Sequence, residues 1–250
     1  MDAYTGFAEV YDLFMEDVPY EQWCKIITNQ LKKEDICDGL VLELGCGTGA
    51  MTRLLAKEGY DMIGVDSSLQ MLAEAREKDD SQEILYLCQD MREFELYGTV
   101  RAVVSVCDSM NYLLTPEDFV QTVSLVNNYL DPGGLFLFDM NTIYKFRELM
   151  GNTTIAETKE HASFIWENYY DEETARNEYD LTLFLERENG LFERQIEVHE
   201  EQGYSVDKVK EMIGQGGMQF VDCFDADTLE APTDISERIF FIAREVGKRR

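Results

Sequence analysis

Residues 41–50 read VLELGCGTGA, an apolar run and an acid followed by glycines at 45, 47 and 49 with Thr48 between the last two. Gly45, Gly47 and Ala50 satisfy the G-x-G-x-x-G/A pattern, in which a strand turns tightly into a helix and lets a nucleotide-like ligand approach the backbone. Asp66 follows Gly45 by 21 residues, near the spacing of an acid that binds a ribose. Two quite different cofactors fit that pattern. A dinucleotide such as NAD would set a pyrophosphate on the helix N-terminus, where Glu43 is an awkward neighbour. A cofactor that brings a positive charge to the same turn suits that carboxylate.

The elements around the loop alternate. Strands are expected at 40–44, 60–65, 84–88, 101–107 and 135–138, and helices at 48–57, 68–78 and 116–130, with Ser67 or Ser68 and then Thr115 as N-caps. Continuous apolar strands separated by helices imply a doubly wound, mostly parallel α/β sheet covered on both faces, with its ligand beyond the carboxyl ends of the strands. Before it, Phe7, Val10, Tyr11 and Phe14 recur at helical spacing, and Pro19 opens a second helical segment carrying Trp23, Ile26, Ile27 and Leu31. After Gly151 the period changes to two in ASFIWENYY, NEYDLTLFLERE and LFERQIEVHEE, which implies an antiparallel sheet inserted at 152–204 with one wet face. Tyr179, Leu181, Leu183 and Leu185 share one face of it and the acids fall mostly on the other. A helix at 205–213 and strands at 219–224 and 238–246 resume the main sheet, so that 1–151 and 205–250 form one core with a helical cap over residues 1–35.

The chain of 250 residues carries 50 acidic and 22 basic residues, a formal charge of -28. A field of that sign repels phosphate backbones, which argues against nucleic acid as a partner. The one cationic cluster, GKRR at the C-terminus, reads as a solvated tail. Six cysteines without CxxC spacing read as thiols of a reducing compartment, and the absence of a basic leader and of any long apolar run points to a cytoplasmic protein without a membrane segment.

Taken together, LELGCGTG, GVDSSLQML, CQDMREF, VSVCDSMNYL and LDPGGLFLFDMN resemble, in order, the motifs of class I S-adenosylmethionine-dependent methyltransferases over residues 40–141. The resemblance implies a seven-stranded Rossmann-like sheet closed by an antiparallel strand, and S-adenosylmethionine as cofactor. It implies that Glu43, Gly45, Cys46, Gly47 and Cys107 surround the methionine part. Asp66 with Ser67 would take the ribose, Met71 would pack on the adenine, and Asp90 and Met91 would bind the adenine edge. The opening FAEVYDLFMEDVPYEQW is similar to that of small-molecule N-methyltransferases of the glycine and amino-sugar types, which implies that Tyr11 and Trp23 reach the methionine end of the cofactor.

Methyl transfer from a sulfonium is an in-line displacement that needs alignment and exclusion of water, with no covalent nucleophile and no metal. A carboxylate near the methyl path can orient an amine and take its proton, which makes Asp108, Asp139 and Asn141 candidates by position, and His199 a candidate from the insert. The insert is expected to act as lid or substrate wall through Trp166, Tyr169, Tyr170 and Tyr179, and also offers a surface for a homodimer. The expected acceptor is a small molecule, an amine nitrogen before an oxygen. Methylation of a protein or RNA, and a non-catalytic cofactor-binding module, are the alternatives.

Overall fold

A computed structural model describes residues 7–248. Phe7–Glu9 form a 3-10 turn and Tyr11–Phe14 a single helical turn, α1, so the first apolar helical period is realised as two short pieces. Pro19 then leads into α2, Tyr20–Lys33, whose apolar side is buried and whose last turn carries Lys32 and Lys33 where the helix dipole favours cations.

The main sheet is built from β1 (Gly39–Leu44), β2 (Tyr60–Asp66), β3 (Leu85–Cys88), β4 (Val100–Ser105), β5 (Leu130–Asn141), β10 (Met218–Asp225) and β11 (Arg238–Glu245) in the spatial order β10-β11-β5-β4-β1-β2-β3. Only β11 runs against its neighbours, pairing antiparallel with both β5 and β10. Between them lie α3 (Ala50–Lys57), α4 (Leu69–Glu77), α5 (Pro116–Tyr129) and α6 (Val206–Gln215). Their starts are local chemistry: the side chains of Ser68, Thr115 and Ser205 accept from the backbone N–H three residues on, and Pro116 stands at the first helical position. One apolar cluster joins the sheet to α5 and α6, the other joins it to α2 and α3, so both faces are covered.

The second sheet, β6 (Thr154–Thr158), β7 (Ala162–Asp171), β8 (Arg176–Glu186) and β9 (Phe192–Gln202), is antiparallel throughout in sequence order. Its first strand and the π-helical turn at Lys145–Met150 that leads to it are additions to the three strands expected from the pattern. Tyr179, Leu181, Leu183 and Leu185 are all buried on one face of β8, as their alternation requires.

β9 inverts the usual rule. Glu197, His199 and Glu201 are buried, whereas Ile196 is 44% and Val198 51% exposed. The expectation that the acids of the insert face water holds for β8 and fails for β9. At the C-terminus, the expected solvated tail is also corrected as far as Lys248: its ammonium donates to the carbonyls of Asn127, Asn128 and Leu130, closing the end of α5. The last two residues of GKRR lie outside the described residues. No described helix is long and apolar enough to cross a membrane.

Candidate active site

Strand order reverses around β1, whose neighbours are β2 and β4, and a cavity of about 250 Å³ opens beyond the carboxyl ends of these strands. Gly45, Cys46 and Gly47 form its floor after β1. Gly45 has φ +68° and Gly47 φ +53°, conformations that L side chains rarely adopt. A Cβ on Gly45 would come within 2.6 Å of the Ser109 side chain, whereas one on Gly47 would meet no protein atom within 4 Å. The first glycine therefore serves packing, and the second keeps space clear at the cleft.

Asp66 ends β2 and ties the loop to it. Its carboxylate accepts from Gly47 N–H at 2.8 Å and from Ser68 N–H at 2.8 Å. Burial nevertheless raises its pKa, against the pull of those N–H donors. Ser67 and Met71 line the cleft beside it, and Asp90 and Met91 line it from the loop after β3. Asp90 is held by Arg92, through its N–H, Nε and Nη2, and that guanidinium keeps the carboxyl below its usual range. Glu43 lies on the inner wall, buried, accepting from the Thr52 hydroxyl, and burial pushes its pKa up to about 8.

A second cavity of about 340 Å³ adjoins the first, and Tyr11 and Cys107 line both. Its walls come from the N-terminal turns, from β7, β8 and β9, and from residues just beyond β4 and β5. Phe164, Trp166, Tyr179 and Leu181 give it an aromatic and aliphatic side; Asp108, Asn141, Lys145, His199, Glu201 and Arg238 give it a charged one. Of the four aromatics expected in the insert's wall, Trp166 and Tyr179 line this cavity, whereas Tyr169, 47% exposed on the outward face of β7, and Tyr170 line neither cavity.

Two of the residues singled out from the sequence are placed elsewhere. Trp23 does not line the first cleft. Its place there is taken by Tyr20, three residues earlier on α2, while Trp23 borders the second cavity with its ring 4.9 Å from the Arg238 guanidinium. Asp139, expected as a proton acceptor, is fully buried and lines neither cavity. It accepts from Cys107 N–H at 3.3 Å and Asp108 N–H at 2.8 Å and pairs with Arg238 at 2.9 Å. Cys107 and Asp108 both have positive φ, near +59° and +57°, and the Asp139 carboxylate binds the two N–H groups that this backbone turns inward. Asp108 faces the second cavity, but its carboxylate is paired with Arg238 at 2.8 Å. His199 lies in the cavity wall, with Nδ1 3.1 Å from the Tyr112 hydroxyl and Nε2 3.3 Å from Glu197.

Sequence reasoning did not single out Tyr20, Lys145, Glu201 or Arg238. For Glu201 a signal exists: period two puts it on the same face as His199, and pairing of His199 with Tyr179 turns that face inward. Arg238 carries no such signal, since its partners lie 99 and 130 residues away.

The sheet, its single reversed strand and a glycine loop at the switch point define an α/β protein of the methyltransferase class. A family model described as a methyltransferase domain matches residues 41–134. The chain is 37% identical over 245 residues, 97% of each sequence, to the Bacillus subtilis (strain 168) protein named "Putative methyltransferase YqeM". It is similar in structure to an S-adenosylmethionine-dependent methyltransferase from Clostridium acetobutylicum ATCC 824, with a TM-score of 0.86 at 28% identity over 98% of this chain and 100% of that one. Over 134 residues, 53% of this chain and 56% of the relative, it is 31% identical to the dTDP-3-amino-3,4,6-trideoxy-alpha-D-glucopyranose N,N-dimethyltransferase of Streptomyces venezuelae. The chain belongs to the class I S-adenosylmethionine-dependent methyltransferases, and S-adenosylmethionine is its cofactor.

Proposed function

We propose that this methyltransferase acts on a small-molecule amine, with the cofactor in the first cavity and the acceptor in the second. The observation that carries the reading is the shared wall: Tyr11 and Cys107 line both cavities, so a donor methyl and an acceptor nitrogen meet there without crossing bulk water. The second cavity, about 340 Å³, is of a size that suits a small molecule better than a segment of protein or RNA. Its aromatic side and its carboxylates suit a cationic amine. The Streptomyces venezuelae relative, named for N,N-dimethylation of an amino sugar, supports nitrogen over oxygen.

The lining of the first cavity fits the cofactor. Asp66 keeps carboxylate lone pairs beyond its two backbone donors for the ribose hydroxyls, Ser67 and Met71 flank the place of the sugar and adenine, and Asp90 and Met91 take the adenine edge. Free space at Gly47 admits the ligand against the backbone. Glu43, Gly45, Cys46, Tyr11 and Tyr20 surround the place of the methionine part, and their role there is to orient it and exclude water. The cofactor supplies an electrophilic methyl on a sulfonium. Everything else is alignment and proton handling by the protein's own residues.

The test is a calorimetric titration with S-adenosylmethionine, S-adenosylhomocysteine and NAD, followed by methyl-transfer assays on a panel of amines and matched alcohols. Saturable binding of the first two, and turnover confined to amines, is the expected result. Turnover of the alcohols alone would remove the nitrogen assignment.

A further inference from the structure

The second cavity holds several ionisable side chains, and hydrogen-bond accounting separates them. Asp108 is paired with Arg238, and Asp139 lies sealed behind both. Lys145 donates to Asn141 Oδ1 at 3.0 Å, and burial lowers its pKa. Glu201 is different: a buried carboxylate in the chamber wall, with no guanidinium or ammonium within 4 Å of it among the described ion pairs, accepting from the Tyr179 hydroxyl at 2.8 Å and the Asn141 amide at 3.5 Å.

We propose that Glu201 is the group that takes the proton from the acceptor amine, with the Tyr179 hydroxyl holding its carboxylate in place. The proposal rests on the amine reading above. The direction of the bonds behind Glu201 follows from the one proton each hydroxyl owns. With Glu201 ionised, Tyr179 commits its proton to Glu201, so the 2.7 Å contact between Tyr179 and Tyr112 is donated by Tyr112. Tyr112 then accepts from His199 Nδ1–H at 3.1 Å.

In the reaction, an ammonium N–H bond breaks and its proton passes to a Glu201 oxygen. The freed nitrogen lone pair forms the new N–C bond while the C–S bond breaks and its electron pair stays on sulfur. The environment prepares Glu201 for this. Burial, and then the neighbouring Asp108, push its pKa up to about 8, against the donors Tyr179 and Asn141 and the positive charge of Lys145. A carboxylate in that range is matched to an amine far better than one near 4. The inversion of β9 has a use on this reading: it exposes Ile196 and Val198 in order to bring Glu197, His199 and Glu201 inside.

The experiment compares wild type, Glu201→Gln and Tyr179→Phe, with benzylamine and glucosamine as probes and benzyl alcohol as the oxygen control, from about pH 6 to about 10. Binding of S-adenosylhomocysteine checks that each variant is folded. The expected result is that Glu201→Gln loses about 100-fold or more in kcat on the amine with cofactor affinity unchanged. Tyr179→Phe removes a donor to the carboxylate, raises its pKa further, and moves the acidic limb of the profile to higher pH. Glu201→Gln working at the wild-type rate with the same acidic limb overturns the assignment and leaves the amine reading standing. Wild type methylating benzyl alcohol and no amine overturns both.

Discussion

Arg238 is bound to Asp139 at 2.9 Å in a place where the carboxylate has no contact with solvent, and the same guanidinium reaches Asp108 at 2.8 Å and lies over the Trp23 ring. Burial raises the Asp139 pKa even so, and Arg238 opposes that rise. Removing one member of such a pair leaves a buried charge without compensation, at a cost of about 3–5 kcal/mol. Arg238→Met should therefore lower the Tm by roughly 6–20 °C. Adding Asp139→Asn should recover part of the loss, and thermal melts of the single and double variants check both.

Gly47 and Asp66 meet in one hydrogen bond, and the proposed cofactor site would depend on each in its own way. Asp66→Ala removes the carboxylate and the tether of the loop; Gly47→Val fills the cleared space and forces a β-branched residue to φ near +53°. Both variants should fold with the wild-type circular dichroism spectrum and show no saturable S-adenosylmethionine binding by calorimetry. Wild-type affinity in either one would place the cofactor elsewhere.

Glu43 makes the ligand-free protein sensitive to pH in a definite direction. Its folded pKa of about 8 stands above the ordinary 4.5, so the native state keeps a proton that the unfolded chain gives up. The stability this contributes is fully present below about 4.5 and is lost as pH rises through about 8. Glu43→Gln cannot ionise, and its Tm should fall less than that of wild type across this window. Equal slopes in melts at a series of pH values would mean that Glu43 is ionised throughout.

Asp12 fastens the N-terminal turns across the first cavity. It accepts from the Thr48 hydroxyl in the glycine loop at 2.5 Å and pairs with Lys78 at 3.0 Å, while the adjacent Tyr11 lines both cavities. Asp12→Ala should speed release of S-adenosylhomocysteine by about tenfold, the loss expected for a hydrogen bond to a charged group, with little change in Tm. Stopped-flow displacement measures it, and an unchanged release rate would show that α1 is held by its other contacts.

Much of this was legible in the sequence because its causes are local. The caps at Ser68 and Thr115 each depend on residues within one helical turn, and the glycine loop is a contiguous pattern with one acid at a fixed distance. What was illegible depends on docking. Tyr20 and Trp23 are three residues apart on α2, and which one faces the cleft is decided by how that helix rests on Arg238 and Phe240. The short strand β6 has an alternation too brief to announce itself. β9 misleads for a physical reason: hydrophobicity says that its valine and isoleucine go in, and the burial of charged groups in a chamber reverses that preference.

The two chambers draw on different stretches of chain. Apart from Tyr11 and Tyr20, the first is lined by residues 43–113; apart from its border at Cys107 and Asp108, the second is lined by residues 7–23, 141–201 and 238. Inheritance can treat them as separate modules. On the proposed reading, substitutions in the inserted sheet would reshape the acceptor's chamber and leave the lining of the donor's cavity untouched, so a new substrate would not require a new way of holding the methyl source.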